Sequence, residues 1–278
     1  MIQKSKTKGA MIVGMVVGII ILTGCLGGNG VKTLKIAGST TVLPIVQKAA
    51  EEYMKKHPDV DIQVSGGGSS VGIHQVGEGS VDIGMASREL KDSEKAKYPD
   101  LVQYVIAKDG IAIIVHPSNP VSQLTIEQIR GIYNGTYTNW KELGGNDMQI
   151  VVVGRDTASG TREFFWEHVM KKENFRDDVL EMNSNGAVHD KVATTPAAIG
   201  YIGLGYIDAE VKGIKIWSNG EWVEPAVENV KNGKYPIVRN LNLFTNGEAK
   251  DLAKDFIEFI LSEEGQKIVE GEGFVPLS

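Results

Sequence analysis

Segments that read as short strands alternate along this chain with segments whose apolar residues recur at helical spacing. Thr33–Ala37 precedes a helical pattern over Thr41–His57 that Pro58 ends, and Val60–Ser65 precedes a helix that starts near Ser70. This alternation predicts an α/β fold in which helices cover the faces of sheets. The same reasoning predicts strands at Val81–Met85, Leu101–Ala107, Ile111–Val115 and Gln149–Val153, and helices from Leu90, at Thr125–Tyr133, Ser159–Lys172, Leu252–Ile260 and Ser262–Glu270.

Two further features indicate how these elements are arranged. The 278 residues are enough for two lobes of ordinary domain size. Asp109-Gly110 is typical of a turn and predicts a break between the strands on either side of it.

Loops rich in glycine, serine and threonine follow three of the strands and open a helix. They are Gly38–Thr41, Gly66–Ser70 and Gly154–Thr161. The first N–H groups of a helix have no partner within the helix, and the helix dipole places positive potential there. One such loop is commonly an ordinary N-cap, whereas three converging loops favour a small oxyanion. Arg155, in the third loop, adds a permanently charged fork for two oxygens, although it could also pair with Asp156.

The N-terminus reads as a secretory signal. Lys4, Lys6 and Lys8 precede the uncharged run Gly9–Leu22, which is shorter than the roughly 20 residues of a spanning helix. Removing residues 1–24 removes three lysines and no acids, so the net charge changes from −6 to −9. The glycine-rich segment 25–32 is predicted to be a flexible tether.

Composition excludes several classes of function. A net charge of −6 disfavours nucleic acid as the partner. Cys25 is the only cysteine, so a disulfide framework is excluded. The five histidines lack metal-ligand spacing, and we expect neither a metal nor a cofactor.

Several motifs resemble those of the phosphate-binding proteins of phosphate ABC transporters. The most specific are Arg155 followed by Ser159-Gly160-Thr161, and Thr195–Tyr201, which reads Thr-Pro-Ala-Ala-Ile-Gly-Tyr. Further matches to the phosphate-binding proteins are Gly38–Thr41, Gly68–Ser70, Asp82–Ser87, and Ser262–Gln266 with Gly273–Leu277.

A separate resemblance concerns the N-terminus. Leu22-Thr23-Gly24-Cys25 resembles the lipobox of prokaryotic lipoproteins, in which the cysteine is lipidated.

The resemblance to the phosphate-binding proteins implies a two-lobed periplasmic-binding-protein type II fold with the ligand in the cleft between the lobes. Lobe one would comprise residues 33–110 and 240–278, lobe two residues 111–239, and two crossing strands would form the hinge. It also implies a monomeric, non-enzymatic protein outside the cytoplasm that delivers phosphate to permease subunits and is held to the membrane by lipid at Cys25. The implied ligand-binding residues are Ser39, Thr40, Thr41, Ser69, Ser87, Arg88, Arg155, Ser159, Gly160 and Thr161.

Alternatives stay open at this point. The ligand could be another tetrahedral oxyanion, namely sulfate, molybdate or tungstate. Gly68-Ser69-Ser70-Val71-Gly72 also fits the nucleophile elbow of a serine hydrolase, with His168 or His189 and Asp190 as partners. Residues 1–24 could instead be an uncleaved anchor.

Arg88 departs from the family pattern, because the best-known branch has an aspartate after the serine that matches Ser87. A carboxylate there accepts a hydrogen bond from the protonated oxygen of phosphate and repels sulfate. If Arg88 points into the cleft, it strengthens binding of either anion, and the hydrogen-bond acceptor for phosphate would be Glu89, Asp156, a backbone carbonyl or a hydroxyl. Alternatively, Arg88 turns outward and pairs with an acid.

Overall fold

The computed structural model describes residues 30–277. The predicted signal peptide, Cys25 and most of the tether lie outside this range. None of the helices within it is long and apolar enough to span a bilayer. Val31–Ser278 forms one compact unit.

Twelve strands lie within the described residues. They are β1 (Lys32–Gly38), β2 (Val60–Ser65), β3 (Ile83–Ala86), β4 (Leu101–Val115), β5 (Gln123–Leu124), β6 (Val151–Arg155), β7 (Leu180–Met182), β8 (Ala198–Gly203), β9 (Lys212–Gly213), β10 (Lys215–Ser218), β11 (Glu221–Val223) and β12 (Val238–Asn246).

The described helices cover the faces of the sheets, as the alternation predicts. They are α1 (Leu43–Lys56), α2 (Ser69–Gly77), α3 (Asp92–Lys97), α4 (Ile126–Tyr133), α5 (Gly160–His168), α6 (Asn185–Ala193), α7 (Val227–Lys231), α8 (Asp251–Leu261) and α9 (Glu263–Gly271), with short 3₁₀ turns at Trp140–Leu143 and Leu204–Tyr206.

The main sheet has the strand order β2-β1-β3-β12-β4-β8-β6-β7, and β9 pairs with β4. Strands β1, β2 and β3 are mutually parallel, as are β6, β7 and β8. Between these groups, β12 and β4 run antiparallel to each other. The loops that follow β1, β2 and β6 therefore emerge at the carboxyl ends of parallel strands, where ligands bind in open α/β sheets.

The prediction of two strands separated at Asp109-Gly110 is wrong, because β4 is continuous through both residues. Its residues 101–110 pair with β12 and its residues 111–115 pair with β8. Asp109 lies directly opposite Arg239 in this ladder. Pairing to a strand more than a hundred residues away thus overrides the local turn preference of Asp-Gly.

Two large apolar cores lie on either side of the paired strands β4 and β12, which form the crossing between the two halves of the chain. One is built around Ile36, Ile45 and Phe256, and the other around Trp140, Phe165 and Tyr201. All six side chains are buried. The chain thus has the two-lobed α/β architecture that the sequence predicts, with one apolar core in each lobe.

Candidate functional site

Polar side chains are buried together where the strand-to-helix loops of the two lobes meet. Burying so many polar groups is unfavourable unless each has a hydrogen-bond partner, so this cluster differs from an apolar core and is a candidate binding site. Its members, all of them buried, are Ser39, Thr40, Thr41, Ser69, Ser87, Arg88, Asp109, Arg155, Ser159, Thr161, Asn185 and Arg239.

The lobe-one loops are shaped by tight glycines and by serine caps. Gly38 has a φ of 137°, and a side chain there would collide with the carbonyl of Met85. The hydroxyl of Ser39 accepts from the N–H of Thr41 at 3.2 Å, and that of Ser69 accepts from the N–H of Ser87 at 3.0 Å. Both serine hydroxyls thus fix the loop backbone, and the hydroxyls of Thr40 and Thr41 contact side chains of lobe two.

The lobe-two loop lies directly against lobe one. Ser159 caps α5 by accepting from the N–H of Arg162 at 3.2 Å. A side chain at Gly160 would collide with the hydroxyl of Ser69. The hydroxyls of Thr41 and Thr161 lie 3.2 Å apart. The structure therefore brings together the residues that the sequence singled out in all three loops.

Arg155 is the most unusual group in the cluster, since it is 1% exposed yet has no carboxylate within ion-pair distance among the described residues. Its Nε donates to the carbonyl of Met182 at 3.2 Å, and Nη2 donates to Asn183 O and Thr40 Oγ1, both at 3.3 Å. Its Nη1 is buried without a hydrogen-bond partner in residues 30–277. Burial lowers the pKa of this guanidinium, so an anion beside it would be stabilising.

Asp109 and Arg239 form an ion pair at the strand crossing that the sequence analysis missed. Arg239 Nε and Nη2 donate to Asp109 Oδ2 at 2.9 and 2.7 Å. The remaining bonds of Arg239 reach both lobes, namely Thr41 Oγ1 at 3.2 Å, Thr161 Oγ1 at 2.9 Å and the carbonyl of Ser87 at 3.1 Å. Burial raises the pKa of Asp109, whereas the guanidinium and the N–H of Leu204 oppose that rise. Because the carboxylate neutralises Arg239, the net positive charge of this part of the site comes from Arg155.

Asn185, the first residue of α6, is the second omission of the sequence analysis. Its side chain is wholly buried, and Nδ2 donates to Thr40 Oγ1 at 3.1 Å and to Thr41 Oγ1 at 3.0 Å. The only sequence signal was its place after Ser184, which caps α6.

Arg88 is buried, but its guanidinium turns to Glu94 rather than to Arg155 or the threonines. Nη1 and Nη2 each donate to a Glu94 carboxylate oxygen at 2.7 Å. Burial raises the pKa of Glu94, the hydrogen bonds from Arg88 and from the Lys91 N–H lower it, and the net shift is downward. Arg88 thus has its own counter-ion, unlike Arg155.

The residues needed for a serine hydrolase are not assembled. The hydroxyl of Ser70 accepts from Arg88 Nη2 at 3.0 Å. His189 Nε2 bonds to Asp208 Oδ1 at 2.8 Å, and His168 stacks on Phe164. Within the described range, the one group with metal-ligand geometry is His189, Asp208 and Glu210, of which both acids are exposed.

Comparisons with known proteins agree on one family. Residues 26–264 match the PBP superfamily domain. The phosphate-binding protein PstS of Bacillus subtilis (strain 168) is 38% identical over 88% of this chain and 81% of its own length.

Solved structures give the same result. A putative phosphate ABC transporter substrate-binding protein with bound phosphate, from Clostridium perfringens, is 43% identical with a TM-score of 0.84, over 89% of this chain and all of its own. An ABC-type phosphate transport receptor from Vibrio cholerae is 35% identical with a TM-score of 0.71, over 88% of this chain and all of its own.

The ion pair at the crossing generates a prediction about stability. Asp109→Ala leaves Arg239 buried without its counter-ion, so we expect the free energy of unfolding to fall by about 3–5 kcal/mol. Chemical denaturation measures this change. Asp109→Ala combined with Arg239→Met removes both charges and should recover most of the loss. A single variant as stable as the wild type would contradict this role for the pair.

Proposed function

The chain belongs to the phosphate-binding proteins of phosphate ABC transporters, and from this membership we propose that it captures inorganic phosphate between its lobes and delivers it to the permease for import. Its family consists of extracytoplasmic substrate-binding proteins, not enzymes, so the hydrolase alternative is dropped. The two-lobed fold and the buried polar cluster at the carboxyl ends of the strands agree with this role.

One observation carries the proposal, namely the buried positive charge of Arg155. The guanidinium is 1% exposed, and its Nη1 has no hydrogen-bond partner in the described chain. A buried charge is strongly unfavourable unless it is paired and hydrogen-bonded. A small oxyanion beside Nη1 would supply both the opposite charge and the acceptor oxygens.

The ligand would be shared between the lobes. We assign Thr40 and Ser69 of lobe one and Arg155 of lobe two as ligand-binding residues, with the α5 start Ser159–Thr161. Thr41 positions Thr161, whose hydroxyl lies 3.2 Å from its own. The proposed boundaries are 33–110 and 240–278 for lobe one and 111–239 for lobe two. Support comes from β4, whose pairing changes from β12 to β8 after Gly110. An anion held from both sides binds the closed arrangement best and shifts the population toward it.

The first experiment tests Arg155. A charge-assisted hydrogen bond contributes about 1.5–3 kcal/mol, and a factor of ten in affinity is about 1.4 kcal/mol. Arg155→Ala should therefore weaken phosphate binding at least tenfold by calorimetry while the protein stays folded. Arg162→Ala is the matched control, because that side chain is partly exposed and pairs with Glu181. Unchanged affinity in Arg155→Ala would place the ligand elsewhere.

Selection of phosphate over sulfate needs an acceptor for the proton of phosphate, and we propose Asp156. Its Oδ1 is buried without a hydrogen-bond partner among the described residues, and it follows Arg155 directly. Glu89, the other acid named from the sequence, already accepts from Gln103 at 2.7 Å. A carboxylate accepts from hydrogen phosphate and repels sulfate, which has no proton to donate.

Competition tests this selection. A large excess of sulfate should leave phosphate affinity nearly unchanged in the wild type, whereas Asp156→Asn should bind sulfate measurably because an amide can donate. Asp177→Asn, at an exposed position, is the control. Comparable binding of both anions by the wild type would refute the selectivity, and a selective Asp156→Asn variant would refute the role of Asp156.

We also propose that the protein is a monomer anchored by lipid at Cys25. Two acyl chains give stable membrane attachment where one does not. Cys25→Ser should therefore leave uncleaved precursor or release soluble protein, as judged by fractionation and mass spectrometry of the N-terminus. Gly28→Ser, which changes the tether but keeps the cysteine, should stay anchored. Membrane retention of a cleaved Cys25→Ser protein would disprove the anchor.

A further inference from the structure

The hydrogen bonds around the threonines fix the direction of each hydroxyl. A hydroxyl has two acceptor lone pairs and one hydrogen to donate. Amide NH₂ and guanidinium groups can only donate. Thr40 Oγ1 receives Arg155 Nη2 and Asn185 Nδ2, at 3.3 and 3.1 Å. Both of its lone pairs are therefore occupied, and its hydrogen must point to some other acceptor.

The orientation of the Asn185 amide follows from a backbone contact. The N–H of Gly203 donates to Asn185 Oδ1 at 3.1 Å. Flipping the amide would place NH₂ against N–H, so Nδ2 must face the threonines. Its two hydrogens then go one each to Thr40 and Thr41.

The same count extends from Thr41 to Thr161. Thr41 Oγ1 also receives Arg239 Nη2, so its lone pairs are occupied and it must donate to Thr161 Oγ1, 3.2 Å away. Thr161 Oγ1 already accepts from Arg239 Nη1 at 2.9 Å. Thr161 Oγ1 therefore accepts from two donors as well, and its own hydrogen must point to some other acceptor. Thr40 of lobe one and Thr161 of lobe two are left as donors, alongside Arg155 Nη1.

We propose that Asn185 is a specificity-determining positioning residue: by occupying lone pairs of Thr40 and Thr41, it makes the threonine hydroxyls obligate donors and selects the dianion of phosphate over the monoanion. The proposal rests on the proposed function. The dianion offers three oxygens that only accept and one proton to donate. The monoanion carries a second proton, and this proton would face the hydrogens of the threonine and guanidinium donors, with no oxygen to accept it.

Other charged groups near these hydroxyls are the same in every variant of the test. Arg155, Arg239 and Asp109 form the charged surroundings, and Tyr206 donates to the carbonyl of Thr40. Burial raises the pKa of Tyr206 to about 12, above the range of the test. His189 lies one turn further along α6 and bonds to Asp208, so its titration is common to all variants.

The experiment measures the phosphate Kd by calorimetry at a pH below and a pH above the second ionisation of phosphate, in wild type, Asn185→Ala and Asn185→Asp. We expect the wild type to bind more tightly on the alkaline side. Asn185→Ala frees one lone pair on Thr40, which can then accept a hydrogen bond from the monoanion. The alkaline preference of this variant should therefore be smaller than that of the wild type. Asn185→Asp turns the threonine hydrogens toward the carboxylate, so its alkaline affinity should fall at least tenfold and its preference should reverse. Val188→Ala, buried on the same helix, should keep the wild-type ratio of the two Kd values.

The outcomes separate the two proposals. A wild type without phosphate affinity would overturn the proposed function itself. If the wild type binds but each Asn185 variant loses the same factor at both pH values, Asn185 is merely structural and the inference is overturned. Should circular dichroism find Asn185→Asp unfolded, Asn185→Ala decides alone: a reduced alkaline preference supports the inference, and an unchanged preference overturns it.

Discussion

The ion pair between Asp109 and Arg239, at the crossing of β4 and β12, is the interaction on which the site depends. Both side chains are almost completely buried, and their Oδ2 and Nη2 lie 2.7 Å apart. The carboxylate holds the guanidinium so that its remaining donors reach one hydroxyl from each lobe. Because this charge is neutralised in place, Arg155 alone supplies the net positive charge for an anion. The pair therefore sets both the geometry and the charge of the cleft.

Most of the other groups in the buried cluster are neutral donors whose directions are fixed by buried neighbours. Backbone N–H groups at helix starts and hydroxyls of threonine carry little charge. The direction of an N–H is fixed by the helix, and a hydroxyl cannot reorient when both of its lone pairs are occupied. Preorganised donors of this kind need no rearrangement when an anion arrives. They are supplied from both lobes, so they act together only when the lobes are in contact.

Local patterns in the sequence predicted the parts of the fold and site that depend on local chemistry. The glycine-, serine- and threonine-rich loops lie where the sequence placed them, and Val60–Ser65 is a strand with the predicted bounds. Asp109 and Arg239 escaped detection because they are 130 residues apart and meet only through strand pairing. Arg88 could not be placed from the sequence, since its partner Glu94 lies on a short helix whose orientation depends on tertiary packing.

The continuity of β4 has a consequence for how this protein can vary. The ladder between β4 and β12 has one irregularity, where Ile106 of β4 is an extra residue beside Leu241 and Asn242. From Ala107 to Val115 the register is regular, first with β12 and then with β8, so the side chains of this run alternate between the two faces across both lobes. Insertion or deletion of one residue within this run would keep one lobe in register and move the side chains of the other to the opposite faces. Surface loops of either lobe can change length independently, but this run can be inherited only at a fixed length. The two halves of the molecule are thus constrained to evolve as one unit along it.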